Sequence, residues 1–241
     1  MVLSHNEPLS LKDLLWPLLG DAHNKKLTTR IMSSTIARST IGKLNRNRTL
    51  FFCCDIQERF RNLIHNFPSV LYVSSTMNQA ADIMKIPFIT TEQYSKAFGK
   101  TCPEVLLPTN NKEGYHLFEK KKFSMLTDEV KQLLKDKYPN HDQVVLFGIE
   151  AHVCVLQTTL DLLEANKEVH ILADGTSSQR TFDRSMAFER MRQSGAFITS
   201  TESALFQLME GADYEKFKEV SSLMNPQKSQ LRPYQGVSMY Q

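Results

Sequence analysis

The sequence predicts an α/β fold in which a parallel β-sheet is covered by helices on both sides. Short apolar runs, such as residues 144–149, are typical of strands buried on both faces. Between such runs, apolar residues recur at helical spacing, as in Val153, Leu156, Leu160 and Leu163. Strands that alternate with helices predict parallel pairing, because each helix carries the chain back across the sheet.

The strands are predicted from short apolar runs bounded by polar or turn-forming residues. The first run reads TLFFCCDI and ends in a carboxylate, Asp55. Within it, Cys53 and Cys54 are adjacent and therefore point to opposite faces of the sheet. The predicted strands are, in chain order, residues 49–56, 87–91, 115–119, 144–149, 169–173 and 197–199.

The helices are predicted from the helical spacing of apolar residues between those strands. Thr127 and Thr201 are predicted N-caps, and Gly195 is a predicted C-cap. Residues 94–108 are polar and contain Gly99 and two prolines, which predicts a loop. The predicted helices are residues 68–85, the segment after Thr127, the segment from Val153, residues 182–193 and the segment after Thr201.

Composition predicts one globular domain with a tail at each end. The chain has 241 residues, of which 41% are hydrophobic and 23% charged, which is ordinary for a globular protein. We expect a basic, flexible leader over residues 1–48, a folded domain over residues 49–224 and a loose tail over residues 225–241. The sequence contains no GxGxxG motif and no P-loop motif, so no nucleotide-binding site is indicated.

Charge is unevenly distributed along the chain. Residues 22–54 hold seven basic residues and no acidic one, so the remainder carries a net charge of about −4. We therefore expect the body of the protein not to bind nucleic acid. No run of 18 apolar residues exists, so no membrane span is expected.

The four cysteines and the leader bear on localisation. The cysteines are unevenly spaced and include no CxxC pair, which indicates a reducing compartment rather than a disulfide scaffold or a structural zinc site. The Arg-, Ser- and Thr-rich stretch over residues 28–49 has the composition of a mitochondrial transit peptide or of a disordered leader. We expect a cytoplasmic protein, with a mitochondrial one as the alternative.

Cys154 is predicted to open a helix directly after the strand at residues 144–149. Unpaired backbone N–H groups and the helix dipole favour a thiolate at such a position, and the thiolate is the nucleophile. A buried structural cysteine is the ordinary alternative for any single cysteine. His152, two residues earlier, could serve as its base, but we interpret it as a loop histidine.

Other reactive side chains fall at the ends of neighbouring strands. Asp55 closes the first strand, and one of three successive lysines, Lys120, Lys121 or Lys122, follows the third. Ligands of open α/β sheets bind at the carboxyl ends of the strands. A carboxylate, an ammonium and a thiolate together can supply a base, electrostatic stabilisation and a nucleophile for attack on a carbonyl carbon.

The stretch FGIEAHVC, residues 147–154, closely resembles the nucleophile motif of the isochorismatase-like cysteine hydrolases. Further similarity lies in Asp55-Ile56-Gln57, which resembles that family's Asp-x-Gln, and in segments of isochorismatase domain-containing proteins. Those segments are TEQY at 91–94, KKKFSM at 120–125, ADGTSS at 173–178 and TSTES at 199–203. The resemblance covers roughly residues 49–220, nearly all of the expected domain.

The resemblance implies a Rossmann-like, three-layer α/β/α sandwich around a six-stranded parallel sheet. It implies a catalytic triad of Asp55, Lys120 and Cys154, and selects Lys120 because the family's lysine precedes a Phe/Tyr-Ser pair by three positions. It also implies a cis peptide bond at Ile149–Glu150 and an oxyanion hole formed by the backbone N–H groups of Glu150 and Cys154. Family members commonly form dimers or tetramers, so a homo-oligomer is expected.

The expected reaction is hydrolysis of a small amide or related acyl compound through a thioester. Nicotinamidases of this superfamily hold a metal through Asp and His residues after the second strand, but residues 90–101 contain no His. We therefore expect no metal and no cofactor. Gln57, Tyr94 and Phe123 are candidates to bind the small-molecule substrate. The alternative is an interaction protein that keeps the fold without catalysis.

Overall fold

The computed structural model of the protein describes residues 41–106 and 113–225. Within them lies a sheet of six parallel strands in the order β3-β2-β1-β4-β5-β6. This order places β1 and β4 side by side at the centre. The strands are β1 (Thr49–Cys54), β2 (Phe88–Gln93), β3 (Tyr115–Lys120), β4 (Gln143–Ile149), β5 (Glu168–Ser177) and β6 (Phe197–Thr199).

Helices cover both faces of the sheet, which confirms the three-layer architecture. One core cluster packs α1, α6 and α7 against one face, and a second packs α3, α4 and α5 against the other. Cys53 belongs to the first cluster and Cys54 to the second, as their adjacent positions predict. The described helices are α1 (Phe67–Met84), α2 (Ser95–Phe98), α3 (Asp128–Lys137), α4 (Leu156–Glu164), α5 (Thr181–Gln193), α6 (Thr201–Met209) and α7 (Phe217–Leu223).

Several element ends differ from the predictions for local reasons. β1 stops at Cys54, because Asp55 adopts the left-handed conformation (φ 50°) and turns the chain. The predicted loop at residues 94–108 begins with the short helix α2. Cys154 does not open an α-helix but lies in a π-helical turn, Ala151–Val155, which precedes α4. Dihedral angles at the strand ends are not visible in hydrophobic patterns.

The predicted caps are partly confirmed. The Thr127 side chain accepts a hydrogen bond from the Val130 N–H, as an N-cap should. The C-cap of α5 is Ser194, one residue before the predicted Gly195, and Gly195 follows it with φ 96°, a conformation that glycine favours. The predicted N-cap of α6, Thr201, is wrong by one residue. The Ser200 side chain accepts the hydrogen bond from the Ser203 N–H, and Thr201 is the first helical residue.

The expected leader and tail fall mostly outside the described residues, so their flexibility stays a prediction. The last leader residues, 41–48, are described, and they pack on the body of the protein. Leu44 is buried, and Arg48 pairs with Asp142 across 2.6 Å. The packed part of the chain therefore starts before Thr49. Among the described helices, none has the length and apolarity to cross a membrane.

Candidate active site

The carboxyl ends of β1, β3 and β4 bring together the three groups that the sequence singles out. Asp55 directly follows β1, Lys120 ends β3, and Cys154 lies in the turn after β4. β2 lies between β1 and β3, and Gln93 at its end is in register with Lys120. The Lys120 side chain therefore crosses the end of β2 to reach Asp55.

Lys120 is the lysine that joins this site. Its ammonium donates to Asp55 Oδ2 at 2.6 Å and to Gln93 Oε1 at 2.7 Å. The carbonyls of Lys122 and Phe123 accept from it at 3.2 and 2.8 Å. The ammonium is thus enclosed by oxygen atoms, and the side chain has no exposed surface. Lys121 and Lys122 are exposed instead.

Asp55 is held from both sides and is buried. Its Oδ1 accepts a hydrogen bond from the Thr91 hydroxyl at 2.8 Å, and its Oδ2 accepts from Lys120. Burial raises the pKa of the Asp55 carboxyl, while the Lys120 charge and the hydrogen bonds from Lys120, Thr91 and Cys154 oppose that rise. A carboxylate with a raised pKa accepts a proton more readily than an ordinary aspartate does.

Lys120 keeps its proton despite its burial. Burial lowers the pKa of Lys120, but Cys54, Asp55 and Cys154 raise it by more, so the net direction is upward. An ammonium that stays charged can hold Asp55 in place and stabilise negative charge nearby. The pair therefore combines a basic carboxylate with a permanent cation.

Cys154 is the cysteine with access to solvent among the four, all of which the structure describes as free thiols. It is 7% exposed, whereas Cys53, Cys54 and Cys102 are fully buried. Burial raises the pKa of Cys102 to about 12 and also raises the pKa of Cys53 and of Cys54. These three thiols resist ionisation, which leaves Cys154 as the candidate nucleophile.

The turn that carries Cys154 is fixed by Glu150. The Glu150 carbonyl accepts hydrogen bonds from the N–H groups of both Val153 and Val155, at 3.1 and 3.2 Å. The Ile149–Glu150 peptide bond is cis, as the resemblance implied. His152 points elsewhere, since its Nδ1 lies 3.0 Å from the Ser178 hydroxyl. This contact supports the interpretation that His152 is not the base, although it lies in the π-helical turn rather than in a loop.

A pocket of about 260 Å³ opens onto Asp55 and Cys154. Larger clefts exist elsewhere, including one of about 590 Å³ between α3 and α4, but they are not lined by Asp55, Lys120 or Cys154. We take the smaller pocket as the candidate active site because it reaches the reactive groups. It is lined by Asp55, Phe60, Gln93, Phe98, Phe123, Ile149, Glu150, Val153, Cys154 and Gln179.

Of the three candidate substrate-binding residues, Phe123 lines this pocket. Gln57 lies behind it, where its amide donates to the carbonyls of Gln93 and Gly99 and accepts from the Gln93 N–H. Tyr94 also lies outside the lining, with the Lys121 ammonium 5.7 Å from its ring centroid. Gln57 therefore has a structural role, because its amide is committed to supporting the end of β2.

Several lining residues were missed from the sequence. Phe60 and Phe98 lie in the segments after β1 and β2 and stack with ring centroids 5.0 Å apart. The sequence predicts only a backbone role for Glu150 and none for Gln179. Phe98 lies in the stretch predicted as a polar loop, so no periodic pattern marked it. One signal existed for Phe60, which follows the Asp-x-Gln motif by three positions and therefore stays close to the same strand end.

One group of potential metal ligands lies among the described residues. Glu58, Cys102 and Glu104 are close enough to share an ion. Arg61 already occupies the space between the carboxylates, with hydrogen bonds of 2.7 to 3.1 Å to Glu58 and Glu104. The guanidinium bridges both acids, so this cluster is better described as an ion-pair network outside the pocket.

Comparison with known proteins identifies the family of this chain. The family model described as "Isochorismatase domain" matches residues 49–203. The chain is 43% identical over 188 residues to the secreted isochorismatase effector Isc1 of Phytophthora sojae, covering 78% of this chain and 90% of that protein. It is 41% identical to isochorismatase domain-containing protein 1 of Danio rerio, covering 85% and 71%.

A solved structure extends the similarity to three dimensions. The protein described as MAR1 ribonuclease from Caenorhabditis elegans superposes with a TM-score of 0.69 at 42% identity, covering 76% of this chain and 92% of that one. The family model covers more than half of the chain, and these relatives exceed 40% identity over most of it. This chain belongs to the isochorismatase family.

Proposed function

We propose that this protein is a cysteine hydrolase that acts on a small amide or a related acyl compound. The observation that carries the proposal is the buried Lys120–Asp55 ion pair, 2.6 Å long, beside the pocket that Cys154 also lines. A nucleophile and a base then face the same small space, and a fixed cation lies buried behind the base.

In the proposed first half-reaction, Asp55 takes the proton of the Cys154 thiol. The thiolate attacks the substrate carbonyl carbon, and the carbonyl oxygen becomes an oxyanion. Collapse of this intermediate breaks the C–N bond, and the leaving amine takes the proton from Asp55. The product at this stage is a thioester between the acyl group and Cys154 Sγ.

In the second half-reaction, water attacks the thioester carbon and gives one proton to Asp55. The thiolate leaves and recovers that proton, so the free acid and the original thiol are restored. The backbone N–H groups of Glu150 and Cys154 are the proposed donors to both oxyanions. Lys120 stays protonated throughout and offsets the negative charge at Asp55.

The name of the C. elegans protein raises ribonuclease activity as a different reaction. The charges of this pocket do not favour a polyanionic substrate, because Asp55 and Glu150 are the charged residues in the lining that the structure describes. Nucleic-acid binding depends on neutralising phosphates with cations. We therefore keep the small-amide proposal.

The rival is a non-catalytic interaction protein with the same fold. Enclosing a lysine and an aspartate inside a protein is costly, and apolar residues of similar size often stabilise a fold as well or better. An interaction role would not need a buried ion pair facing a reactive thiol. The two proposals differ in whether Cys154 reacts and whether the protein turns over a substrate.

The test has two measurements on the whole chain. Iodoacetamide labelling with peptide mapping should modify Cys154 faster than Cys53, Cys54 or Cys102. A library of small amides should then yield at least one substrate that the wild type hydrolyses and Cys154→Ala does not. Cys102→Ala removes a thiol outside the pocket and serves as the control.

Slow labelling of Cys154, or turnover that survives Cys154→Ala, would overturn the proposal. Trapping of the acyl group on Cys154, seen as a mass increase under acid quench, would support the thioester directly.

A further inference from the structure

The charged side chains that line the candidate pocket are both acidic. Among its lining residues, all of them described, Asp55 and Glu150 carry the charged side chains. Lys120 compensates Asp55, and its side chain has no exposed surface. The charge that remains for a ligand to meet is therefore the single negative charge of Glu150.

Glu150 is fixed in place at this pocket. Its Oε2 accepts a hydrogen bond from the Gln179 N–H at 2.9 Å, and its Oε1 accepts from Gln179 Nε2 at 3.2 Å. Arg180, the next residue, does not line the pocket, and its guanidinium lies 3.9 Å from Asp183 with the side chain 83% exposed. The carboxylate is held without a cation inside the pocket.

The other polar lining group offers little to an anion. The Gln93 amide oxygen accepts from Lys120, and its amide nitrogen donates to the Lys121 carbonyl at 2.9 Å. Both ends of this side chain are thus engaged. Phe60, Phe98 and Phe123 supply apolar walls, and the first two are nearly parallel, at 18°.

We propose that Glu150 determines substrate specificity by charge, so that the substrate is a neutral or cationic small amide with an apolar body. Compounds bearing a carboxylate or phosphate are excluded, because they would meet a fixed negative charge and no accessible cation. This inference rests on the proposed function for the acyl chemistry. It adds the substrate class and gives the Glu150 side chain a role apart from its backbone N–H.

The test uses thiol reagents that differ in charge and need no known substrate. Methanethiosulfonates exist with a trimethylammonium-ethyl, a sulfonate-ethyl or a plain methyl group. The Cys154 thiolate attacks the sulfenyl sulfur, forming a disulfide and releasing methanesulfinate. The second-order rate constant of Cys154 with each charged reagent is divided by the rate constant of free mercaptoethanol with the same reagent. The ratio of the two corrected values, cationic over anionic, measures charge selectivity.

The wild type should favour the cationic reagent, and Glu150→Gln should lower the ratio about tenfold, as expected when one charge a few ångströms away disappears. The matched control is Glu189→Gln, which removes the same charge from the exposed face of α5. This control variant should keep the ratio within about twofold of the wild-type value, because exposed distant charges are screened. The neutral methyl reagent reports any general change of access in either variant.

Salt gives a second readout that needs no variant. Raising ionic strength should move the wild-type ratio towards one. An unchanged ratio in Glu150→Gln, or a wild type that prefers the anionic reagent, would overturn this inference while leaving the cysteine hydrolase proposal intact. Failure of Cys154 to react with any of the three reagents would instead count against the proposed function.

Discussion

Thr91 shows how one neutral side chain adjusts the proposed base. Its hydroxyl donates to Asp55 Oδ1 at 2.8 Å in a buried site, and this bond opposes the burial that raises the Asp55 pKa. The next residue back, Thr90, points to the opposite face of β2. Two adjacent threonines therefore offer a matched comparison.

We predict that Thr91→Val raises the pKa of Asp55 by about one unit, because a hydrogen bond to a charged group contributes about 1.4 kcal/mol or more. In the wild type the same pKa should already lie above 3.8. The sign follows from the donor: losing it destabilises the carboxylate, so the proton is released only at higher pH. Carbon-13 NMR titration of the aspartate carboxyls measures the shift directly.

The conservative variant Thr91→Ser keeps the donor and should restore the wild-type titration, whereas Thr90→Val should leave it unchanged. Equal shifts in Thr91→Val and Thr90→Val would show that the effect is general to β2 and not due to the bond with Asp55.

At the scale of elements, the site depends on how closely β4 approaches β1. Gly148 pairs with Cys54 and has φ 125°, a conformation that residues with side chains rarely adopt. A Cβ atom there would lie 2.2 Å from the Cys54 carbonyl oxygen. Since Asp55 follows Cys54 and the Cys154 turn follows β4, this contact sets the spacing of the two reactive groups.

We predict that Gly148→Ala destabilises the protein by roughly 3 kcal/mol or more, through backbone strain and overpacking together. Gly99→Ala is the control, because it also has a positive φ (79°) but its Cβ would meet nothing closer than 3.6 Å. Its backbone (φ 79°, ψ −172°) lies in a region that essentially only glycine adopts, so that variant should cost about 1–3 kcal/mol from backbone strain without the overpacking. Urea unfolding curves measure the free energy of unfolding of both variants. Equal losses of stability would mean that the close β1–β4 contact is not the cause.

The strands and the site were predictable to different extents. Asp55 and Cys154 follow central strands whose apolar runs are continuous. Their place at the carboxyl ends of the strands could therefore be inferred from the hydrophobic pattern alone. Lys120 could not be separated from Lys121 and Lys122 by pattern, because the choice depends on which side chain crosses β2. Phe98 escaped notice for the related reason that loop geometry, not periodicity, brings it to the pocket.

On the scale of the whole molecule, the segment before β1, residues 41–48, joins one face of the sheet to the start of β4. Leu44 is 2% exposed and belongs to the core cluster with α1 and α6. The Asn45 N–H donates to the Gln143 side chain at 2.7 Å, and Gln143 donates in turn to the Lys43 carbonyl. The Arg46 guanidinium donates to the Leu208 carbonyl at 3.0 Å. This segment therefore completes the fold at the end opposite the pocket.

We predict that a chain beginning at Thr49 is less stable than one beginning at Ile41 by roughly 3 kcal/mol. Leu44 burial alone contributes about 1.5–3 kcal/mol, and the Gln143 side chain, buried at the start of β4, would lose its backbone partners. Within the full chain, Leu44→Ala should cost about 2–4 kcal/mol. Ile41→Ala, at a residue 77% exposed, should change stability by less than about 0.5 kcal/mol. Urea midpoints of these four variants and of the full wild-type chain separate the cases. Equal stability of the two shortened chains would mean that the segment contacts the body without stabilising it.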